Sequence, residues 1–213
     1  MRTDDLIAQL SDNLPVAPRH AAMKRLCRAL AIGGLVAFGL LLAALGLRPD
    51  FVQASDTAPF WMKWMFTLSL MWASAVVVRR LGDPGTRVGL AWLGVGAPIA
   101  IVATMAVGEL LAAPRAQCAG LILGQTSSRC VVAILALAIP VFVALLWAFK
   151  RLAPTRLRLT GAAAGVLSGS AGAAVYAFAC PEVSAAFMIT WYTAGILAAG
   201  GLGALLGPRA LRW

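Results

Sequence analysis

Charged side chains are scarce in this sequence. Asp, Glu, Lys and Arg together make up 12% of the 213 residues, whereas 61% are hydrophobic and the mean hydropathy is +0.86. Soluble domains average about 25% charged residues and about 45–50% apolar ones. A composition this poor in charge excludes an ordinary soluble domain. It predicts a polytopic membrane protein.

Side chains that carry catalysis or bind metals are also few. The single histidine, His20, lies in the polar N-terminal segment, and the four cysteines form no CxxC motif. The two ionisable residues within apolar runs, Lys63 and Glu109, lie near the ends of those runs, which disfavours a proton- or sodium-coupled transporter. Ser168 and Ser170 resemble a nucleophile motif, but the apolar runs contain no histidine to activate them. We therefore predict no enzyme activity, no cofactor and no metal site.

Long hydrophobic runs are what the sequence does contain. A membrane-spanning helix requires about 20 mostly apolar residues. Six runs meet this requirement, and charges fall only at their ends. The predicted fold is therefore all-α, a bundle of six transmembrane helices joined by short loops. The six predicted spans are residues 29–47, 60–78, 88–109, 131–149, 159–179 and 185–206.

The basic residues predict the orientation of these spans, because loops rich in Lys and Arg stay in the cytoplasm. Most of them fall in the N-terminal tail, the loops after the second and fourth spans, and the C-terminal tail. Only Arg48, Arg115 and Arg129 lie in the other three loops. Lys63, near the outer end of the second span, is expected to extend its amine towards the outer surface. The pattern predicts both termini on the cytoplasmic side.

The basic residues responsible for the formal net charge of +10 are spread over the tails and the loops on one side of the predicted bundle. No single segment gathers this charge, so it indicates membrane topology and contact with anionic lipid headgroups. We predict a protein that lies in the bilayer and binds no nucleic acid directly.

Small residues recur at helical spacing in the last two spans. Gly161, Gly165 and Gly169 are four residues apart, and Gly195, Gly203 and Gly207 lie in the sixth span or directly after it. Such spacing is typical of close helix–helix contacts in membranes. The sequence leaves open whether these faces pack within one chain or between copies in a homo-oligomer.

The predicted topology sorts the four cysteines. Cys27 falls on the inner side, whereas Cys118, Cys130 and Cys180 fall on the outer side, where disulfides persist. Cys130 opens the fourth span and Cys180 closes the fifth, so both are expected at the same depth. A bridge would require Cα atoms within about 7 Å. Two interpretations stay open: static cysteines, bridged or simply packed, and a switch sensitive to oxidants or metals.

The first residues, MRTDDLIAQLSDNLPV, form a short acidic segment before the apolar runs. Leu6, Ile7, Leu10 and Leu14 would share one face of a helix, with Thr3 as its N-cap. A helix of about three turns is unstable alone in water. Helices that lie on membranes usually carry Lys and Arg on their polar face, whereas the charged residues between positions 3 and 14 are all aspartates. We therefore predict that it folds against a basic groove on a partner protein.

The chain resembles the NrsF-type membrane anti-sigma factors of proteobacteria. The resemblance covers essentially the whole chain. It depends on the opening TDDLIAQL, on six spans with a cytoplasmic N-terminus, and on Arg48-Pro49 after the first span. It also depends on Cys130 at the start of the fourth span and on Cys180-Pro181 followed by Phe187 and Trp191-Tyr192.

The resemblance implies a function and a set of site residues. In this family the cytoplasmic tail holds an extracytoplasmic-function (ECF) sigma factor at the inner membrane until an envelope, oxidative or metal signal releases it. The outer sensor pair would be Cys130 and Cys180, and Cys118 is an additional cysteine outside the family pattern. The residues implied to contact the sigma factor are Thr3, Asp4, Asp5, Leu6, Ile7 and Leu10.

The resulting hypothesis divides the chain into three parts. Residues 1–28 are the sigma-binding tail, residues 29–208 the transmembrane domain and residues 209–213 a short cytoplasmic C-terminus. The alternatives are a small-solute permease or channel, which would require a polar lining within the spans, and a purely structural membrane subunit. The spans contain only scattered Ser and Thr residues.

Overall fold

The computed structural model describes residues 21–82, 89–150 and 156–212. Every regular element in these ranges is helical. The segment predicted to bind the sigma factor, residues 3–10, lies outside the described residues. The account below therefore concerns the helical bundle and its connecting segments.

Within these described ranges, eight helical elements follow one another, and six of them are long and apolar enough to cross a membrane. The predicted all-α class and the count of six such helices are confirmed. The elements are α1 (Ala21–Ala44), α2 (Phe51–Ser55), α3 (Ala58–Gly82), α4 (Ala91–Ala112), α5 (Arg115–Leu123), α6 (Ser127–Phe149), α7 (Leu157–Tyr176) and α8 (Ala185–Ala210). Within α8, a π-helical turn, Met188–Tyr192, separates the segments Ala185–Phe187 and Thr193–Ala210.

Most of these helices extend beyond the apolar runs. The first begins at Ala21 and includes Lys24, Arg25 and Arg28, while α3 continues past Arg79 and Arg80 to Gly82. Hydropathy marks where a helix is apolar, whereas backbone hydrogen bonding continues into the polar turns at each end. Both α4 and α6 remain helical through their internal prolines, Pro98 and Pro140.

The central element is α7. It contacts α1, α3, α6 and α8, and 83% of its most apolar 18-residue stretch is buried inside the bundle. Its sequence explains this position, because LTGAAAGVLSGSAGAA contains almost only small residues and lets neighbouring backbones approach on every side. The fifth apolar run is thus the core of the bundle, and four of the other five long helices pack against it.

Glycines form the contact between α7 and α8. A Cβ atom at Gly161 would fall well within 3.0 Å of the Gly203 carbonyl oxygen, and one at Gly165 would meet the Ala199 carbonyl in the same way. On the other side of α7, a Cβ at Gly172 would lie 2.8 Å from the Ile134 carbonyl oxygen of α6. The glycine faces of the fifth and sixth spans therefore pack against each other within one chain.

The bundle has two chemically different ends. We call the end that carries Cys130 and Cys180 the cysteine end. We call the opposite end, where α1 and α7 begin and α3, α6 and α8 end, the arginine end. Its described arginines are Arg25, Arg28, Arg79, Arg80, Arg156, Arg158, Arg209 and Arg212.

Candidate functional site

The structure places Cys130 and Cys180 at the same end of the bundle, as predicted. Cys130 lies in the first turn of α6, and Cys180 follows the last turn of α7, where its backbone N–H donates to the Tyr176 carbonyl. Both side chains are completely buried in one hydrophobic cluster, and both are free thiols. The structure thus brings together two thiols that are fifty positions apart in sequence.

Two cationic side chains converge on the backbone beside this thiol pair. The Lys63 Nζ donates to the Cys180 carbonyl oxygen at 2.9 Å, and Arg48 Nη1 donates to the same oxygen at 3.5 Å. Lys63 is 1% exposed. The expectation that its amine reaches the outer surface is wrong, since the Cys180 carbonyl supplies a partner inside the bundle. The α7 helix has already ended at Tyr176, and Pro181 keeps the chain from resuming a helix, so this carbonyl is free to accept both donors.

Arg48 connects three segments at the cysteine end. Its backbone N–H donates to the Phe178 carbonyl at 3.2 Å, and its guanidinium forms a two-pronged ion pair with Asp50, with N···O distances of 2.8 and 2.6 Å. These hydrogen bonds from Arg48 lower the pKa of the Asp50 carboxyl below its ordinary value and raise the pKa of Arg48. The pair therefore stays ionised at neutral pH and holds the α1–α2 connection against Cys180.

Aromatic rings pack around this connection. The Phe178 ring lies between Trp64 and Phe38, with ring centroids 4.7 and 5.2 Å away, and stacks on Phe51 at 5.8 Å. Edge-to-face pairs of this kind contribute about 0.5–1.5 kcal/mol each beyond simple burial. The segment that precedes Cys180 is thus fixed by rings from α1, α2 and α3.

A tyrosine completes the surroundings of the thiols. Tyr192 ends the π-helical turn of α8, is fully buried, and belongs to the same hydrophobic cluster as Cys130 and Cys180. Its hydroxyl makes no hydrogen bond of standard geometry with the described residues. The extra residue of a π-turn rotates the helix face locally, and such turns are frequent at functional sites. Here the turn directs a polar ring to the thiol pair.

Two glutamates hold the connecting segments at the same end. Glu182 Oε1 accepts hydrogen bonds from the backbone N–H groups of Gln125 and Thr126, at 2.7 and 3.1 Å, next to the start of α6. Glu109 Oε2 accepts from Ser184 Oγ and from the Ala186 N–H at the start of α8. Each carboxylate satisfies backbone donors that a helix start leaves unpaired. Both cysteine-bearing segments are therefore anchored by charged groups.

The other two cysteines lie elsewhere. Cys118 is partly exposed on α5, where its sulfur lies 3.7 Å from the Leu110 carbonyl and 3.6 Å from the Pro114 carbonyl. Cys27 is exposed on α1 at the arginine end. Within the ranges that the structure describes, no cluster of three or more His, Cys, Asp or Glu side chains could hold a metal ion.

The serines of the nucleophile-like motif make only local hydrogen bonds. Ser168 Oγ donates to the Gly165 carbonyl at 2.9 Å, and Ser170 Oγ donates to the Val166 carbonyl at 2.8 Å. Both are fully enclosed in α7. Each hydroxyl thus donates its hydrogen bond to a backbone carbonyl of its own helix, as buried serines in membrane helices commonly do.

Sequence reasoning located the thiols but missed the groups around them. The sequence places the Lys63 amine at the outer surface, and it indicates Tyr192 only as part of a family motif. One signal was available for the lysine: it is one of three in the chain, and it lies inside an apolar run. An ionisable residue in a membrane helix indicates a functional role or a specific partner.

These features define a class: a six-helix bundle of the membrane-spanning type, with a buried thiol pair at one end and arginines at the other. The profile of the family described as "NrsF: Negative regulator of sigma F" matches residues 10–213. The chain belongs to this family, whose members regulate transcription. Of the six residues implied to contact a sigma factor, only Leu10 lies within the matched range.

Two curated relatives align with the whole chain and over their own full length. One is the "Probable anti-sigma-F factor NrsF" of Azospira oryzae, which is 37% identical over 213 residues. Another is the "Anti-sigma-F factor NrsF" of Caulobacter vibrioides, which is 35% identical over 214 residues. No solved structure matches this chain.

Proposed function

We propose that this protein is a membrane-embedded anti-sigma factor that sequesters an ECF sigma factor through its N-terminal tail. The observation that carries the proposal is the full-length similarity to two anti-sigma-F factors. The acidic, amphipathic residues 3–14 supply a surface suited to a basic partner, since sigma factors bind DNA. The bundle would hold that tail at the bacterial inner membrane.

The proposed orientation puts the arginine end in the cytoplasm and the cysteine end at the outer surface. Its support is the asymmetry of basic residues between the two ends. Residues 1–28 would then be cytoplasmic and able to meet a sigma factor, with residues 209–213 on the same side.

Two of the cysteines can test this orientation. In cells that express variants with a single cysteine, a membrane-impermeant maleimide should label Cys118 and should leave Cys27 unlabelled until the membrane is permeabilised. Cys27 is exposed and Cys118 partly exposed, so both can react once reached. Labelling of Cys27 alone in intact cells would show that the protein has the opposite orientation.

The thiol pair at the cysteine end is the proposed sensor. Its support is the placement of two buried thiols in one cluster, with the Cys180 carbonyl held by Lys63 and Arg48. Oxidation of the pair, or coordination of a thiophilic metal, would alter the geometry at the end of α7. Because α7 contacts most other spans, a change there can reach the arginine end.

Replacement of both thiols by serine tests the sensor and the function together. In cells carrying a tagged sigma factor, the wild-type chain should retain the sigma factor in the membrane fraction and release it after treatment with an oxidant. We expect the Cys130→Ser/Cys180→Ser variant to give the same distribution with and without oxidant. The matched control, Cys118→Ser, should respond like the wild type. A double variant that still releases the sigma factor would limit the thiols to a structural role.

The alternative of a permease or channel has less support. A solute path would need polar side chains turned towards a lumen, whereas Thr67, Ser74, Ser168 and Ser170 donate to carbonyls of their own helices. The groove between α3 and α4 is lined almost entirely by apolar side chains such as Met65, Trp72 and Ile101. The spans are therefore better suited to packing and lipid contact than to transport.

A further inference from the structure

The arginine end contains a groove whose chemistry changes along its length. It runs between α1 and α6 and has a volume of about 850 Å³. Arg25 and Arg28 lie at its mouth, and the side chains below them are apolar. That apolar part is lined by Ala29, Ile32, Gly33, Val36, Pro140, Val143, Ala144, Trp147 and Ala148.

The close approach of the two helices forms the floor of the groove. A Cβ atom at Gly33 would lie 2.6 Å from the Cα of Val141, so α1 and α6 touch at this point. On the arginine side of this contact the groove is lined by small residues, Ala29, Ala144 and Ala148, whose short side chains leave space between the two helices. Ile32, Val143 and Trp147 are each about 60% exposed or more and line the rim. The groove thus results from small side chains along its floor and large ones along its rim.

The dimensions suit one hydrocarbon chain. From Arg25 to Val36 the helix rises by about 16 Å, at about 1.5 Å per residue. One leaflet of a bilayer has an apolar depth of about 15 Å, half of the roughly 30 Å core. An acyl chain that lies along the groove would therefore place its headgroup beside the two arginines.

Charge favours an anionic headgroup. Arg28 is exposed and Arg25 is half-buried, and among the described residues no carboxylate lies within ion-pair distance of either. Guanidinium groups pair well with phosphate, because their planar donors match two of its oxygens. Basic clefts between membrane helices on the cytoplasmic side are typical sites for anionic lipid headgroups.

We propose that this groove binds one anionic phospholipid, with its phosphate on Arg25 and Arg28 and an acyl chain between α1 and α6. This site is separate from the thiol pair and does not depend on recognition of a sigma factor. It fixes the first turns of α1, the helix that leads directly from the N-terminal tail. Lipid bound there would hold the base of the tail at a defined position on the membrane surface.

Native mass spectrometry of the full-length protein in detergent tests the proposal. With dioleoyl phosphatidylglycerol added, the wild type should retain one lipid per chain, and with dioleoyl phosphatidylcholine it should retain far less. The Arg25→Gln/Arg28→Gln variant should bind phosphatidylglycerol about thirtyfold more weakly, from the usual contribution of two basic residues near a membrane surface. Retention of both lipids alike by the wild type would overturn the proposal.

Two further variants separate the groove from general surface charge. Arg158→Gln/Arg209→Gln removes the same charge from exposed positions on α7 and α8, outside the groove, and should bind phosphatidylglycerol like the wild type. Ala144→Phe fills the apolar part while both arginines remain, and should also lose the lipid. An equal loss in both arginine variants, normal binding by Ala144→Phe, or a lipid-free dimer in the spectrum would each contradict a lipid-filled groove.

Discussion

Replacement of Gly203 by alanine is expected to destabilise the bundle by about 3 kcal/mol or more, although it adds only one methyl group. The added Cβ would fall on the Gly161 carbonyl oxygen and lie 3.0 Å from the Cα of Gly165. Both obstacles are backbone atoms of α7, so neither can rotate away as a side chain would. The helices would have to separate, and the central element of the bundle would lose its closest contact. Equilibrium unfolding of the purified protein by SDS, followed by circular dichroism, measures this loss.

Gly201 provides a matched control two residues away on the same helix. A Cβ at this position would meet nothing within 4 Å. Gly201→Ala should therefore leave the stability unchanged or raise it by up to about 1 kcal/mol, because alanine favours the helix over glycine. If both variants unfold at the same SDS fraction, the close contact between α7 and α8 is not the basis of the fold.

The second large effect is expected from a substitution in the N-terminal tail, Leu6→Asp, and concerns binding of the sigma factor. Leu6→Asp places a charge on the apolar face that we propose to bury against the sigma factor. Removing a central apolar contact of an interface commonly costs 2 kcal/mol or more, which corresponds to about thirtyfold weaker binding. We therefore expect a reporter gene that depends on the sigma factor to be expressed strongly without any inducing signal. The amount of the variant in the membrane fraction should equal that of the wild type.

Ala8→Asp is the control for this prediction. By helical periodicity Ala8 lies on the side opposite Leu6, Ile7 and Leu10, so the same added charge would face solvent. Repression by Ala8→Asp should match that of the wild type. If Leu6→Asp also represses normally while its level in the membrane is unchanged, the tail does not bind through its apolar face.

The sequence predicted the framework of the fold because a membrane leaves few alternatives. A run of 20 apolar residues can satisfy its backbone in lipid only as a helix, so hydropathy alone indicates α1, α3, α4, α6, α7 and α8. Glycine spacing also predicted close packing for α7. It could not decide between contacts within a chain and contacts between copies, since the same pattern serves both.

The surroundings of the thiols were harder to predict. The position of Lys63 depends on the Cys180 carbonyl, which is free to accept only because Pro181 follows it and α7 has already ended. The direction of the Tyr192 ring depends on a π-turn, which apolar periodicity does not indicate. The first feature is a contact between residues 117 positions apart, and the second is a local change in helix geometry; hydropathy carries no information about either.

The measurement that tests the central claim most directly is binding of the sigma factor to the full-length protein in lipid nanodiscs. The sigma factor would be an ECF sigma factor from the same organism, the partner class proposed above, and titration would follow its fluorescence anisotropy. The proposed function predicts saturable binding to the wild type, unchanged binding to Ala8→Asp, and about thirtyfold weaker binding to Leu6→Asp. It also predicts that RNA polymerase core enzyme competes with the nanodiscs for the sigma factor. Equal binding to a variant that lacks residues 2–14, or no binding to the wild type, would contradict it.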